Sequence, residues 1–184
     1  MPLEAPTAPT KDALLARWTN IISQHPELFE DVAERIETDA FGNILMSPPP
    51  DGAHQKRELR IATLLEMLLP GEGTVTERAV LTDLGVKVPD VIWLATHRVH
   101  EIEGTLPLAP APEICIEVRS PGNTTQELYE KRDAYFRSGA QEVWICDSSN
   151  KITFFDQNGE LTKSKLCPDF PTVIEPYRKS PQVG

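Results

Sequence analysis

Two acidic side chains stand in segments that are expected to form β-strands. Asp90 lies in the predicted strand Val86–Ala95, where alternation places it on an otherwise apolar face. A carboxylate on such a face costs several kcal/mol unless a positive charge or hydrogen bonds compensate it. Glu117 lies in the predicted strand Glu113–Arg119 and shares a face with Arg119. Asp90 and Glu117 are therefore the first candidates for chemistry.

A lysine on the following helix is the third candidate. Lys131 comes three residues after Leu128 and four before Tyr135, so it lies on or beside the inward stripe of the predicted helix Thr124–Arg137. That helix directly follows the strand that bears Glu117 and should pack across it. Two carboxylates and a cation at one sheet suit a hard divalent ion, which can polarise a phosphodiester and lower the pKa of a bound water. The structural alternative is that Asp90 begins a strand near solvent and that Lys131 extends its amine into water.

The apolar periodicity predicts an α/β (α+β) fold with a mixed central β-sheet flanked by helices. The C-terminal half is predicted to contain a right-handed crossover between parallel strands. Its parts are strand Glu113–Arg119, helix Thr124–Arg137 and strand Glu142–Asp147. Further helices are expected over residues 12–24 and 54–69. The remaining strands are expected, besides Val86–Ala95, at Val32–Glu37, Asn43–Met46, Thr74–Leu81, Lys151–Phe155 and Leu161–Leu166.

Length and charge limit the classes of protein that fit. With 184 residues, two separate cores would each be marginal, so residues 11–184 are expected to form one domain after a flexible lead over residues 1–10. The net charge of −10 repels polyanions at long range and argues against sequence-independent coating of nucleic acid. A local basic groove is still compatible with it, and Lys56, Arg57 and Arg60 form one candidate patch; Arg132 and Arg137 contribute to another.

Membrane insertion and disulfide bonding are not expected. The chain has no run of about 18 apolar residues and no basic-then-apolar N-terminal pattern, so we expect a cytoplasmic protein without a membrane span. Its three cysteines are odd in number and widely spaced, which argues against a disulfide framework or a zinc finger.

Several short motifs together resemble a known family. Pro89-Asp90 followed by Glu117-Val118-Arg119 resembles the PD-(D/E)XK nuclease signature, with arginine where lysine usually stands. The wider set is similar to the Uma-type restriction-endonuclease family within that superfamily. Its blocks, in chain order, are Gly42-Asn-Ile-Leu-Met-Ser-Pro-Pro, His54 at the start of a helix, Pro89-Asp-Val, Glu117-Val-Arg-Ser-Pro-Gly-Asn, Lys131-x-x-x-Tyr135-x-x-x-Gly139 and Glu142-Val-Trp-Ile-Cys-Asp147.

This resemblance implies a restriction-endonuclease-like core and a metal-dependent endonuclease that hydrolyses DNA. It implies Asp90 and Glu117 as ligands of Mg²⁺ or Mn²⁺, with the carbonyl of Val118 as a third ligand. Arg119 occupies the position of the usual catalytic lysine, and a guanidinium is a poor substitute because it does not readily give up a proton. Family members without that lysine resemble one another in that a lysine of the next helix takes its role. In this chain, Lys131 is the matching position.

Further predictions accompany this resemblance. His54 matches a family position and is a candidate auxiliary residue, which could approach the site or a substrate phosphate, although a purely structural role is the alternative. Because cleavage of both strands needs two active sites, a homodimer is expected. The competing interpretation is a catalytically weakened nuclease-fold protein that acts as a nucleic-acid-binding or assembly module, which Arg119 and the net charge favour. The sequence does not specify the recognition site or the strandedness of the substrate.

Overall fold

The computed structural model describes residues 9–24, 26, 36–45, 51–69, 73–101 and 106–175. Most of the predicted lead and the first part of the predicted strand Val32–Glu37 lie outside these residues. The helices are α1 (Lys11–Gln24), α2 (Gly52–Leu68) and α3 (Thr125–Arg137), with a 3-10 turn at Thr96–Arg98. The strands are β1 (Glu37–Thr38), β2 (Ile44–Leu45), β3 (Thr74–Thr76), β4 (Val80–Thr82), β5 (Gly85–Lys87), β6 (Val91–Trp93), β7 (Ile114–Val118), β8 (Glu142–Cys146), β9 (Ile152–Asp156) and β10 (Gly159–Leu161).

A six-stranded mixed sheet forms the centre of the molecule, in the order β10-β9-β8-β7-β6-β3. Strands β7 and β8 are parallel, in register from Ile114 opposite Glu142 to Val118 opposite Cys146, and the other neighbours are antiparallel. The predicted fold class and the parallel crossover through α3 are therefore confirmed. No helix among the described residues is long and apolar enough to cross a membrane.

The two faces of β7 pack against different helices. Ile114, Ile116 and Val118 belong to one core cluster with Ile61 and Leu65 of α2. On the other face, Cys115 packs in a second cluster with Tyr135 of α3 and with Val143 of β8. Because side chains alternate along a strand, this arrangement places Glu117 on the same face as Cys115, underneath α3.

Helix α3 begins at a complete capping box, which fixes where its buried face starts. The side chain of Thr124 accepts a hydrogen bond from the backbone N–H of Glu127, and the Glu127 carboxylate accepts one from the backbone N–H of Thr124. Leu128 and Tyr135 are buried on the inward stripe, as the periodicity predicts. Lys131 lies between them in the sequence and is therefore directed toward the sheet.

Two predicted strands are each divided in the structure. The predicted strand Thr74–Leu81 breaks after β3 at Glu77, whose φ of 50° lies in the left-handed region. The predicted strand Val86–Ala95 breaks between β5 and β6 at residues 88–90, where Pro89 has no N–H to give to a ladder. Strands β4 and β5 instead pair with each other as a separate hairpin. The prediction that Asp90 lies within a strand is therefore wrong: Asp90 occupies a bend immediately before β6.

The predicted strand Leu161–Leu166 is also wrong beyond its first residue. The last hairpin pairs β9 with β10, which ends at Leu161. The backbone N–H groups of Lys165 and Leu166 are used differently, since both donate to the carboxylate of Glu142. This buried carboxylate also accepts from the hydroxyl of Ser164, so it fixes an irregular segment against β8.

A second small hairpin, β1–β2, is attached to β4–β5 through Thr38. The hydroxyl of Thr38 accepts from the N–H of Val86, and its carbonyl accepts from the amine of Lys87 at 2.8 Å. Gly85 allows this close approach because a Cβ there would lie against the carbonyl oxygens of Thr38, at 2.6 Å, and of Asp39. Gly85 also has a φ of +96°, which side chains rarely adopt.

We expect Gly85→Ala to lower the free energy of unfolding by about 1–3 kcal/mol or more. The added methyl group would lie against backbone carbonyl oxygens, and alanine would be strained in this backbone conformation. The measurement is thermal or denaturant unfolding. Gly122→Ala is the matched control, since a Cβ at Gly122 meets nothing within 4 Å. Equal stability of the two variants would contradict the close contact between the hairpins.

Candidate active site

Asp90 is held by two partners from different elements. Its Oδ2 accepts a hydrogen bond from the backbone N–H of Val118 at 2.5 Å, which ties the bend before β6 to the end of β7. Its Oδ1 lies 3.1 Å from Nε2 of His54, in the first turn of α2. Asp51 caps that turn by accepting from the backbone N–H of His54. The hydrogen bond to Asp90 raises the pKa of His54, although burial opposes the rise.

Glu117 is the most deeply buried carboxylate of this group. Only 4% of its surface is exposed. Its Oε1 accepts from the hydroxyl of Tyr135 at 2.7 Å, and its Oε2 accepts from Nζ of Lys131 at 3.2 Å. Burial raises the pKa of Glu117 to about 7; Lys131 opposes this rise, whereas the negative charge of Asp90 adds to it. Asp90 and Glu117 therefore form the pair of neighbouring carboxylates that the sequence predicts.

Lys131 reaches the carboxylates as the helical spacing predicts. Its amine contacts Oε2 of Glu117 and also Oε1 of Glu37, at 2.7 Å. Burial alone would lower the pKa of Lys131, but the two carboxylates outweigh it and raise the pKa above its usual value. The side chain is consequently a protonated ammonium at neutral pH. Its direction toward Glu117 excludes the alternative in which it extends into water.

Arg119 does not share this arrangement. Its guanidinium donates to the hydroxyl of Thr125 at 2.8 Å, in a hydrogen bond exposed to solvent at the start of α3. Val118, which the resemblance implies as a carbonyl ligand, contributes its N–H to Asp90. Among the described residues, Lys131 thus contacts Glu117 directly and Asp90 is tied to Val118, the residue after Glu117, whereas Arg119 lies at the periphery.

The remaining basic candidates differ in their availability. Lys56 is exposed on α2, whereas Arg57 donates to the carbonyl of Ser148 and to the side chain of Asn150. Arg132 stacks over the rings of Tyr129 and Phe155, and Arg137 forms an ion pair with Asp83. Arg132 and Arg137 are therefore engaged in contacts within the fold.

The donor set fits a divalent ion held by two side chains. Carboxylate oxygens are the ligands that Mg²⁺ prefers, and this ion commonly uses one or two of them, with waters and phosphate oxygens in the other positions. Burial, together with the negative charge of Asp90, raises the pKa of Glu117, and a divalent cation beside it would favour the ionised form. Within the described part of the chain, no three His, Cys, Asp or Glu side chains are grouped as a metal cage. An ion enclosed by protein ligands is therefore not the kind of site seen here.

Sequence reasoning missed two residues of this cluster. Glu37 comes from β1, a two-residue strand with no chemical motif around it, and lies 94 residues from the lysine that it contacts. Tyr135 belongs to the Lys131-x-x-x-Tyr135 spacing, and its position four residues after Lys131 could have indicated that both reach the same group. No comparable signal identified Glu37.

The fold and this cluster together define a nuclease-fold protein, and comparison with known proteins agrees. The family profile described as "Uma2: Putative restriction endonuclease" matches residues 24–176. The chain is similar to the crystal structure of a putative nuclease belonging to DUF820 from Anabaena variabilis ATCC 29413, with a TM-score of 0.60 and 16% identity, over 72% of this chain and 84% of that chain. No curated protein is significantly similar to it.

Because the profile covers most of the chain, the protein belongs to the Uma2 family. The resemblance found in the sequence motifs is thereby confirmed. The structural likeness, at its low identity, independently shows that the chain shares the fold of that solved structure.

The pKa of Glu117 leads to a prediction for the metal-free protein. An acid whose pKa rises from 4.5 to about 7 on folding binds more protons in the folded state, so its contribution to stability falls as the pH rises through this interval. The stability of Glu117→Gln is compared with that of the natural protein at pH 5 and at pH 8. We expect this difference to shift in favour of the variant by up to roughly 3 kcal/mol as the pH is raised. Unfolding in the presence of a chelator at both pH values measures this difference. A difference that does not change with pH would contradict the raised pKa.

Proposed function

We propose that this protein is a metal-dependent endonuclease that hydrolyses DNA phosphodiester bonds. The observation that supports the proposal most is the convergence of Asp90, Glu117 and Lys131, which come from a bend, a strand and a helix. Two carboxylates and an ammonium at one place have the chemistry that phosphodiester hydrolysis requires. Membership of the restriction-endonuclease family supports the same conclusion.

In this proposal Asp90 and Glu117 hold Mg²⁺ or Mn²⁺, with the carbonyl of Val118 as a further ligand. When bound, the ion supplies Lewis-acid polarisation of the phosphodiester and a more acidic water. The water loses a proton to solvent as its oxygen attacks phosphorus, the bond to the leaving oxygen breaks, and that oxygen takes a proton from solvent. The ammonium of Lys131 orients the water by hydrogen bonding or offsets the negative charge that develops on the phosphoryl oxygens. His54 assists by orienting Asp90 through its Oδ1.

Lys131, rather than Arg119, is the catalytic cation in this proposal. The Lys131 amine lies 3.2 Å from Glu117, whereas the guanidinium of Arg119 is directed to Thr125 at the surface. A lysine also changes its protonation and hydrogen bonding more readily than an arginine does. The catalytic lysine would thus have moved from the strand to the neighbouring helix while its ammonium stayed near Glu117.

A second candidate is a catalytically weakened nuclease-fold protein that binds nucleic acid without cleaving it. It is favoured by the fact that all four oxygens of Asp90 and Glu117 already have partners within the chain. A divalent ion must displace or share these partners. Titration calorimetry with Mn²⁺ separates the candidates, because the weakened protein should bind the ion poorly and Asp90→Asn should then change nothing.

For the enzyme, we expect Lys131→Met to reduce cleavage about 100-fold or more, since it removes a charge at the transition state. Arg119→Met should reduce cleavage much less, and Arg119→Lys should be tolerated. Asp90→Asn and Glu117→Gln should abolish metal-dependent cleavage while the proteins stay folded. The measurement is cleavage of plasmid and of linear duplex DNA with Mg²⁺ or Mn²⁺. A larger loss for Arg119→Met than for Lys131→Met would overturn the assignment of the cation.

Binding of DNA must depend on a local surface, because the net charge of −10 opposes approach. We expect affinity to fall as salt is added, and Lys56→Glu to weaken binding further. Lys163→Glu, at another exposed lysine, is the control that makes the same change in net charge. Equal effects of the two variants would argue against a DNA-binding surface on α2.

A homodimer remains our proposal for cleavage of both strands, and sedimentation with and without DNA tests it.

A further inference from the structure

Glu37 bridges two segments that carry the proposed site. Its Oε1 accepts from Nζ of Lys131 at 2.7 Å and from the backbone N–H of Val88 at 2.9 Å. Val88 precedes Asp90 by two residues, so one carboxylate oxygen connects the Asp90 segment with the helix that bears the lysine. The hairpin that carries Glu37 is itself fixed to β5 through Thr38.

The contacts of Lys131 show which carboxylate holds its ammonium. The amine is closer to Glu37, at 2.7 Å, than to Glu117, at 3.2 Å. A lysine ammonium is a point charge at the end of a flexible stem, so it needs fixed partners to stay in one place. Glu37 supplies such a partner from outside the central sheet, and its side chain is only 14% exposed.

A purely structural role for Glu37 would not require its charge. A glutamine carbonyl would accept the Val88 N–H as well as a carboxylate does. The carboxylate in addition places a full negative charge 2.7 Å from the ammonium of Lys131, which a glutamine would not do.

We propose that Glu37 is a positioning residue of the active site, which holds the ammonium of Lys131 at the place where it serves the reaction. The proposal rests on the proposed nuclease function, in which Lys131 is the catalytic cation. Glu37 then acts through Lys131 and touches neither the metal nor the substrate. Its effect belongs to the chemical step and leaves DNA binding unchanged.

A double-mutant cycle tests whether Glu37 acts through Lys131. We expect Glu37→Gln to lower kcat by roughly 10- to 100-fold with KM unchanged, as is typical for residues that orient a catalytic group. Glu37→Ala should lower kcat further, because it also removes the partner of Val88. In the Lys131→Met background, Glu37→Gln should cause no additional loss. An equal loss in both backgrounds would overturn the proposal, because it would indicate a general structural effect.

Glu113→Gln is the matched control. Glu113 is a buried carboxylate that, like Glu37, bridges a backbone N–H, here that of Ala95, and a cation, Arg98. Its carboxylate partners are Ala95 and Arg98 rather than residues of the proposed site. We expect this variant to change stability and to keep kcat near that of the natural protein. A loss of kcat in Glu113→Gln as large as in Glu37→Gln would overturn the specific role of Glu37.

A crystal structure of metal-free Glu37→Ala gives a test that requires no activity. We expect the ammonium of Lys131 to move by on the order of 1 Å or more relative to Glu117, a displacement large enough to impair catalysis. An unmoved ammonium would overturn the positioning role even if the enzyme is active. Absence of metal-dependent cleavage by the natural protein would overturn the proposed nuclease function, and the crystal structure would still decide whether Glu37 positions Lys131.

Discussion

The buried carboxylate of Glu117 is the constraint on which the rest of the site depends. A negative charge in the interior is costly, and here it lies near a second carboxylate, Asp90. Tyr135 and Lys131 compensate it from α3, which can do so because the crossover places that helix directly over β7. The parallel pairing of β7 with β8 is thus the arrangement that brings the compensating groups to the acid.

Several parts of the fold are irregular where they serve this cluster. The chain leaves β5 and bends at Pro89 before it enters β6, which frees the Asp90 side chain to reach the N–H of Val118. In an uninterrupted strand the side chain of Asp90 would instead project from one face of the sheet. The first turn of helix α2 lies beside this bend, and His54 in that turn contacts the other oxygen of Asp90.

The small hairpins have a structural role that their size does not indicate. Strands β1 and β2 contain two residues each and could not be stable alone. The contacts of Thr38 with β5 attach the hairpin, and the attachment requires a glycine at position 85. Glu37 thereby reaches Lys131 from a part of the chain that is distant in sequence, which fixes the ammonium from a second side.

Local patterns in the sequence determined the crossover at the centre of the sheet and the side of α3 on which Lys131 lies. The order of strand, helix and strand predicted the crossover, and the helical spacing of Leu128, Lys131 and Tyr135 predicted that the lysine faces the sheet. These patterns are local, because the period of the apolar residues depends only on neighbours in the chain.

Only the tertiary structure decided that Asp90 stands in a bend, that Glu142 holds residues 164–166 in an irregular conformation, and that Glu37 joins the site. Each of these depends on a contact between groups distant in the sequence. The free energy of such a contact comes from burial and from charges that the fold brings together, so no local pattern of residues records it.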